Sequence, residues 1–352
     1  QMAKYKIKTL SKISPKGLDL ISETACVLDE ESKDPDGVLV RSTKLSESNL
    51  NQSLKAISRA GAGVNNIPID LCPERGVVVL NTPGANSNAV KEPVSAALML
   101  SSRNVISSIN FVNNLKPIEK MEELEPFLEE NKKKFKGREL SGATLGVVGL
   151  GAIGSKVAGM GVALDMKVVG YDPALSVEAA WKLPSEVESV GSVEELFSRS
   201  DFITLHIPAI ESTKGIVNLK LLKNANNASL LNFARHEVVH NQSIVEALDK
   251  GHLTNFVTDF PTPELIKRAN KQGDVILLPH IGASTSQAEE SCAVTAVQQL
   301  TDFLQTGNII NSVNFPSINL PRTTKNRIAI TNKNVPAMIL TCPPGILTVG
   351  IL

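Results

Sequence analysis

Arg235 ends the apolar run SLLNFA, His280 ends VILLP, His206 ends FITL, and Asp259 lies in NFVTDF with Glu264 just beyond it. A guanidinium can hold a substrate carboxylate with two parallel hydrogen bonds and polarise a neighbouring carbonyl. An imidazole can take a hydroxyl proton while a carboxylate behind it stabilises the resulting cation. Beside a hydride acceptor, these three groups would suit the oxidation of a 2-hydroxy acid. The residue pattern alone does not choose between His206 and His280, whereas His236, His240 and His252 fall in helix-like or loop segments.

The hydride acceptor is implied by a second stretch. The apolar run LGVVG leads into Gly149, Gly151 and Gly154, spaced GLGAIG with Ala152 and Ile153 between, and a helical run follows. Asp172 stands 18 residues after Gly154, at the end of MKVVGYD. Glycines in this order permit a tight turn, a close approach of backbone to pyrophosphate, and close helix packing. The helix start offers unpaired N–H groups to phosphate. An acid at that distance accepts hydrogen bonds from a ribose and repels a 2′-phosphate, which favours NAD over NADP.

These residues need strands to carry them. From Thr144 short β-branched runs alternate with amphipathic stretches up to VILLPH, the pattern of parallel strands joined by crossover helices. Ligands in such open sheets bind outside the C-terminal ends of the strands, where the residues above are placed. Upstream, GVLVR, LKAIS and GVVVLNTP form a second α/β series without a phosphate-binding glycine pattern. There Arg41-Ser42-Thr43 and the RAGAG turn from Arg59 to Gly63 follow strands and suit a carboxylate or a phosphate. A helix is expected from about Glu92 to Arg103, with Pro93 in its first turn. The charged stretch EKMEELEPFLEENKKKFKGREL reads as a solvated helix and loop between domains, and a long helix is expected after His280.

With 352 residues the chain has room for two domains. Lysine plus arginine and aspartate plus glutamate both number 36, so no excess charge points to nucleic acid or an anionic membrane, and a small-molecule ligand fits better. The four cysteines, Cys26, Cys72, Cys292 and Cys342, lack metal-site spacing and read as reduced thiols. No apolar stretch is long enough to span a membrane and no signal-peptide core is visible, so a cytoplasmic protein without a metal is expected.

In their order along the chain, RSTK, RAGAGVNNIPID, NTPGANSNAVKE, LGVVGLGAIG, GYDP, LNFAR, VTDFPTPE, PHIGAST and NSVNFP resemble the D-isomer-specific 2-hydroxyacid dehydrogenases. The resemblance implies a Rossmann-type doubly wound parallel sheet with a second, smaller flavodoxin-like α/β substrate domain. Residues 1–97 with 288–325 would form the substrate-binding lid domain, 98–287 the NAD-binding domain, and 326–352 a remnant of a C-terminal regulatory domain. Catalytic roles would fall on Arg235, Glu264 and His280, which decides between the two histidines. Cofactor contacts would be Gly149, Gly151, Ala152, Ile153, Gly154, Asp172, His206, Pro208, Ala234, Asp259, Gly282 and Ala283. Substrate contacts would be Arg41, Ser42, Arg59, Gly63 and Asn86. The implied reaction is NAD-dependent oxidation of 3-phosphoglycerate at C2 to 3-phosphohydroxypyruvate, the opening step of serine biosynthesis, by a homodimer paired through its cofactor domains. The alternatives are a hydroxypyruvate or glyoxylate reductase on the same scaffold, and a nicotinamide-binding scaffold without turnover. The last is suggested by His236, which stands where the family usually has glycine.

Overall fold

The computed structural model describes residues 5–321, 330–332 and 349–351. Two compact units emerge, one from residues up to Asn86 together with those from Thr285 onward, the other from Ser87–Ser284.

The smaller unit is built on five parallel strands, β1 (Tyr5–Thr9), β2 (Cys26–Leu28), β3 (Gly37–Val40), β4 (Ala56–Arg59) and β5 (Val78–Leu80), in the order β2-β1-β3-β4-β5. All four residues of GVLV are buried, as expected for a parallel strand covered on both faces. The helix Ser286–Thr306 covers one face, packing Ala293, Ala296, Val297 and Leu300 against Ile7, Leu39, Ala56 and Leu80. The order reverses between β1 and β3, a flavodoxin-like arrangement.

The larger unit holds seven parallel strands: β6 (Thr144–Val148), β7 (Lys167–Tyr171), β8 (Val187–Ser189), β9 (Phe202–Leu205), β10 (Ala228–Asn232), β11 (Leu253–Thr258) and β12 (Val275–Leu277). Their order is β12-β11-β10-β9-β6-β7-β8, the doubly wound Rossmann arrangement, with its reversal between β6 and β9. Leu145, Val147, Phe202, Leu231 and Val257 share one core with Val90, Val94 and Leu98, and Ile203, Leu205, Leu230 and Phe256 belong to another.

Several elements depart from the sequence reading. No strand was expected before Gly37 or between Tyr171 and Phe202, yet β1, β2 and β8 are there. Both β2 and β8 are three-residue edge strands with exposed residues, so neither leaves an apolar run to read. The helix expected from Glu92 starts at Ser87 and carries Pro93 in its interior. Burial of Ala89, Val90, Val94, Ala97 and Leu98 along one face outweighs the N–H that proline withholds. This helix also runs unbroken across position 97, and the units change over at Asn86/Ser87 and Ser284/Thr285. The charged stretch read as a connector forms the helix Met121–Lys132 inside the larger unit, where Phe127 and Phe135 lie 6.0 and 5.2 Å from Phe111. Of the segment read as a regulatory remnant, Ile330–Asn332 pairs in parallel with Val349–Ile351, and the rest lies outside the described residues. Among the described residues no helix is long and apolar enough to cross a membrane.

Candidate active site

Where β6 ends, Gly149 takes a left-handed φ of 88°, and a Cβ on it would press on the carbonyl of His206. A Cβ on Gly154, the first residue of the helix Gly154–Ala163, would overlap the carbonyl oxygen of Gly149. Gly151 is different, since a Cβ there would meet none of the described residues within 4 Å. The fold itself therefore demands Gly149 and Gly154, while open space at Gly151 suits the approach of something other than protein. Asp172, just past β7, accepts the N–H of Leu150 on Oδ2 (2.8 Å) and that of Ala174 on Oδ1 (2.9 Å), which fixes the acid beside the glycine turn. The buried Nδ1 of His206 has no hydrogen-bond partner among the described residues. Open space, a helix start facing it, a fixed acid and an imidazole nitrogen without a partner among the described residues all fit a dinucleotide.

Two glycine variants separate fold from ligand. Gly154→Ala is expected to cost about 1–3 kcal/mol of stability by overpacking. Gly151→Val should leave the melting temperature in place while weakening NAD by at least tenfold, read by titration of the cofactor.

His206, just past β9, shares a 2.8 Å hydrogen bond between Nε2 and the Thr204 hydroxyl. Burial pushes its pKa down to about 3, so near neutral pH it is uncharged and too weak a base to accept a hydroxyl proton efficiently. The unfolded imidazole titrates near 6.5, so the unfolded chain takes up a proton below that pH which the folded chain refuses. Stability due to this residue is therefore complete above pH 6.5 and falls as the pH drops toward 3. Between pH 7 and 5 the wild type should lose about 2 kcal/mol more than His206→Gln, measured by urea denaturation. Equal losses would show that the buried imidazole is not the cause.

The ends of β10, β11 and β12 are laced together through their backbones. Asn232, 1 % exposed, accepts the N–H of Ala234 on Oδ1 (3.1 Å) and donates from Nδ2 to the carbonyl of Arg235 (2.9 Å), shaping the turn that carries the arginine. Its own carbonyl accepts the N–H of Asp259 (3.1 Å), and the Asp259 carbonyl accepts the N–H of His280 (3.0 Å). Arg235 and His280 are both exposed, and Ala234 and Gly282 are buried beneath them in the turns. Phe260 stands edge-on to His280 at 5.1 Å between ring centroids and 6.4 Å from His236, whose Nδ1 lies 3.1 Å from Glu237. Glu264 lies apart from this ladder. As the second residue of the helix Pro263–Gln272, its carboxylate is held below its ordinary range by its own N–H and the Thr262 hydroxyl, and no hydrogen bond among the described residues joins it to His280. The sequence reading missed Asn232, although an asparagine closing an apolar run is a recognisable turn signal.

In the smaller unit the hydroxyl of Ser11 accepts the N–H groups of Arg41 (3.0 Å), Ser42 (3.2 Å) and Thr43 (3.2 Å), so one side chain shapes the whole RST turn. Asn66 donates to the carbonyls of Arg41 and Thr43, and Arg59 Nε donates to the carbonyl of Arg41 at 3.1 Å. The Arg41 guanidinium is paired with Glu289 at 2.7 Å. Near Gly63, the Ala62 carbonyl accepts from Asn81, and the buried Oδ1 of Asn86 has no hydrogen-bond partner among the described residues. Ser11 and Asn66 were not singled out from the sequence, because one serine or asparagine in a loop carries no spacing signal.

Residues 105–282 match the NAD binding domain of the D-isomer specific 2-hydroxyacid dehydrogenases. The chain belongs to that family. Its larger unit contains the family's NAD-binding domain, and its cofactor is NAD. It is 34 % identical over 297 residues to the D-3-phosphoglycerate dehydrogenase of Methanocaldococcus jannaschii, covering 82 % of this chain and 53 % of that protein. Hydroxypyruvate reductase of Thermotoga maritima is 32 % identical over 255 residues, covering 71 % of this chain and 77 % of that protein. The chain spans about half the length of the Methanocaldococcus jannaschii relative and of the D-3-phosphoglycerate dehydrogenases of Synechocystis sp. and Bacillus subtilis. Among solved structures, the NAD+-bound 3-phosphoglycerate dehydrogenase of Entamoeba histolytica superposes with a TM-score of 0.67 at 27 % identity, over 89 % of this chain and 99 % of that one.

Proposed function

We propose that the chain catalyses NAD-dependent oxidation of the C2 hydroxyl of 3-phosphoglycerate to 3-phosphohydroxypyruvate, the first step of serine biosynthesis. The reading rests above all on the backbone ladder from Asn232 through Asp259 to His280, which puts an arginine turn and a histidine turn at the same edge of a sheet whose glycine turn suits a dinucleotide. Arg235 holds the substrate carboxylate and polarises the oxygen on C2 as it becomes a carbonyl. His280 takes the hydroxyl proton. Bound NAD supplies the acceptor for the hydride that leaves C2. Glu264 supports the imidazolium once it turns away from its helix start. The substrate phosphate is assigned to Arg41 and Arg59, with Ser42, Gly63 and Asn86 as further substrate contacts. Pro208, Ala234, Asp259, Gly282 and Ala283 complete the assigned cofactor contacts.

Asp172 makes this an NAD enzyme. NADP is expected to bind at least tenfold more weakly, and Asp172→Ala should weaken NAD by about 1–3 kcal/mol. Equal affinities for the two cofactors would show that Asp172 does not face the ribose. The substrate is tested by following NADH absorbance with 3-phosphoglycerate, glycerate and lactate, and in reverse with hydroxypyruvate and glyoxylate. Turnover confined to 3-phosphoglycerate supports the proposal. Preference for hydroxypyruvate favours the second reading, for which the Thermotoga maritima relative speaks. Binding of NAD without turnover of any of them would leave a scaffold.

We place the protein in the cytoplasm as a homodimer. Ile106, Ile109 and Val112 expose one apolar face of the helix Val105–Asn113, and Met99 is exposed on the preceding helix, in the unit expected to pair. Sedimentation tests the dimer.

A further inference from the structure

We propose that Asp259 is the positioning residue that aims His280 for proton transfer, a role that rests on the function proposed above and is separate from any contact with the cofactor. Its side chain is 2 % exposed, and its two carboxylate oxygens are divided between two amides of one turn. Oδ1 accepts the N–H of Ile281 at 2.8 Å and Oδ2 that of Gly282 at 2.7 Å, while the Asp259 carbonyl accepts the N–H of His280 at 3.0 Å. Three successive amides, those of residues 280 to 282, thus end on a single residue.

The turn needs such a hold. His280 has φ 58°, in the left-handed region where a Cβ crowds the following carbonyl, so its surroundings must over-determine the conformation. Glu264, the carboxylate otherwise assigned to the histidine, is engaged at its own helix start. Hydrogen bonds from amides to a buried carboxylate are short and strong, and they hold a backbone rather than a rotatable side chain. Gly282 fits the same picture, since a Cβ there would come within 3.0 Å of Asp259 Oδ2. The N–H of Asp259 donates to Asn232, whose side chain shapes the Arg235 turn, so one residue sets the histidine turn against the arginine turn.

The experiment joins amide hydrogen exchange with steady-state kinetics. In the wild type the amides of Ile281 and Gly282 should be protected. In Asp259→Asn the side chain can accept from only one of them and points an N–H₂ at the other, so protection should fall at least tenfold. A displacement of the imidazole by about 1 Å should lower kcat by roughly 10²-fold at saturating NAD, with the KM for substrate changed less than threefold; measuring at saturating NAD removes any loss of cofactor affinity that Asp259 and Gly282 cause as assigned cofactor contacts. Gly282→Ala, which keeps the carboxylate but crowds it, should reproduce the loss of kcat and covers the case in which Asp259→Asn does not fold. Unprotected amides in the wild type, a normal kcat in both variants, or weakened NAD binding at normal kcat would each overturn the proposal. Wild-type protein that neither binds NAD nor turns over substrate would instead overturn the proposed function, while the exchange data still judge the turn.

Discussion

His280→Ala is expected to lower kcat by about 10²- to 10⁴-fold, the usual worth of a positioned acid or base, with NAD binding unchanged. The expectation follows from where the imidazole stands. It is exposed at the end of the β12 turn, its backbone is tied to Asp259, and Phe260 lies edge-on beside it. Of the two strand-end histidines, His206 is disqualified by burial, which leaves it neutral and bonded to Thr204. Arg235→Ala should differ in kind, raising KM as well as lowering kcat, because one guanidinium grips the carboxylate and the developing carbonyl charge. Steady-state kinetics on both variants, with a separate NAD titration, provide the check. Near-normal turnover in His280→Ala, alongside a His206→Ala that is inactive yet binds NAD normally, would reverse the assignment.

The second large effect is on stability. Arg268 is 8 % exposed, with Nε and Nη2 on the carboxylate of Asp274 (3.0 and 2.7 Å) and Nη1 on Asp249 at 2.8 Å. It joins the helix Pro263–Gln272 to the residue just before β12 and to the helix Asn241–Asp249. Asp274 keeps 22 % of its side chain exposed and Asp249 57 %, so Arg268→Ala leaves both carboxylates partly solvated; the lost charge-assisted hydrogen bonds and the lost packing of the buried stem should together cost about 1–3 kcal/mol in urea unfolding. Apolar replacement of both partners also removes the unpaired, partly buried Asp274 carboxylate. Arg268→Met combined with Asp274→Leu should therefore be the more stable of the two variants, and a double variant as weak as Arg268→Ala would mean that packing, not charge, is what Arg268 supplies.

Much of this was legible in the chain. GLGAIG with Asp172 announced the nucleotide turn because each glycine has a steric task, and β-branched runs announced the central strands because parallel sheets bury them on both faces. Edge strands β2 and β8 were not legible, being short and half-wet, and the start of the helix at Ser87 was hidden by Pro93, whose local preference lost to burial of Val90 and Val94. At the site, residue types pointed to Arg235 and His280 but not to what aims them. Ser11 and the carboxylate of Asp259 act on backbone amides far along the chain, and no spacing in sequence reports that, whereas Asn232 acts only two and three residues on, as a local turn signal.

The smaller unit is assembled from two distant stretches of chain, and that sets an order of events in its making. Ile7, Leu39 and Leu80 find their cover in Ala293, Val297 and Leu300, which emerge from a ribosome only after the whole of the larger unit. Until then one face of the first sheet is bare. The larger unit, continuous in sequence, can close its core by itself, so the nascent chain passes through a state with one finished half and one sticky half. The late helix Ser286–Thr306 is thus a closing latch, and a chain interrupted before it would leave its first half as prey for chaperones and proteases.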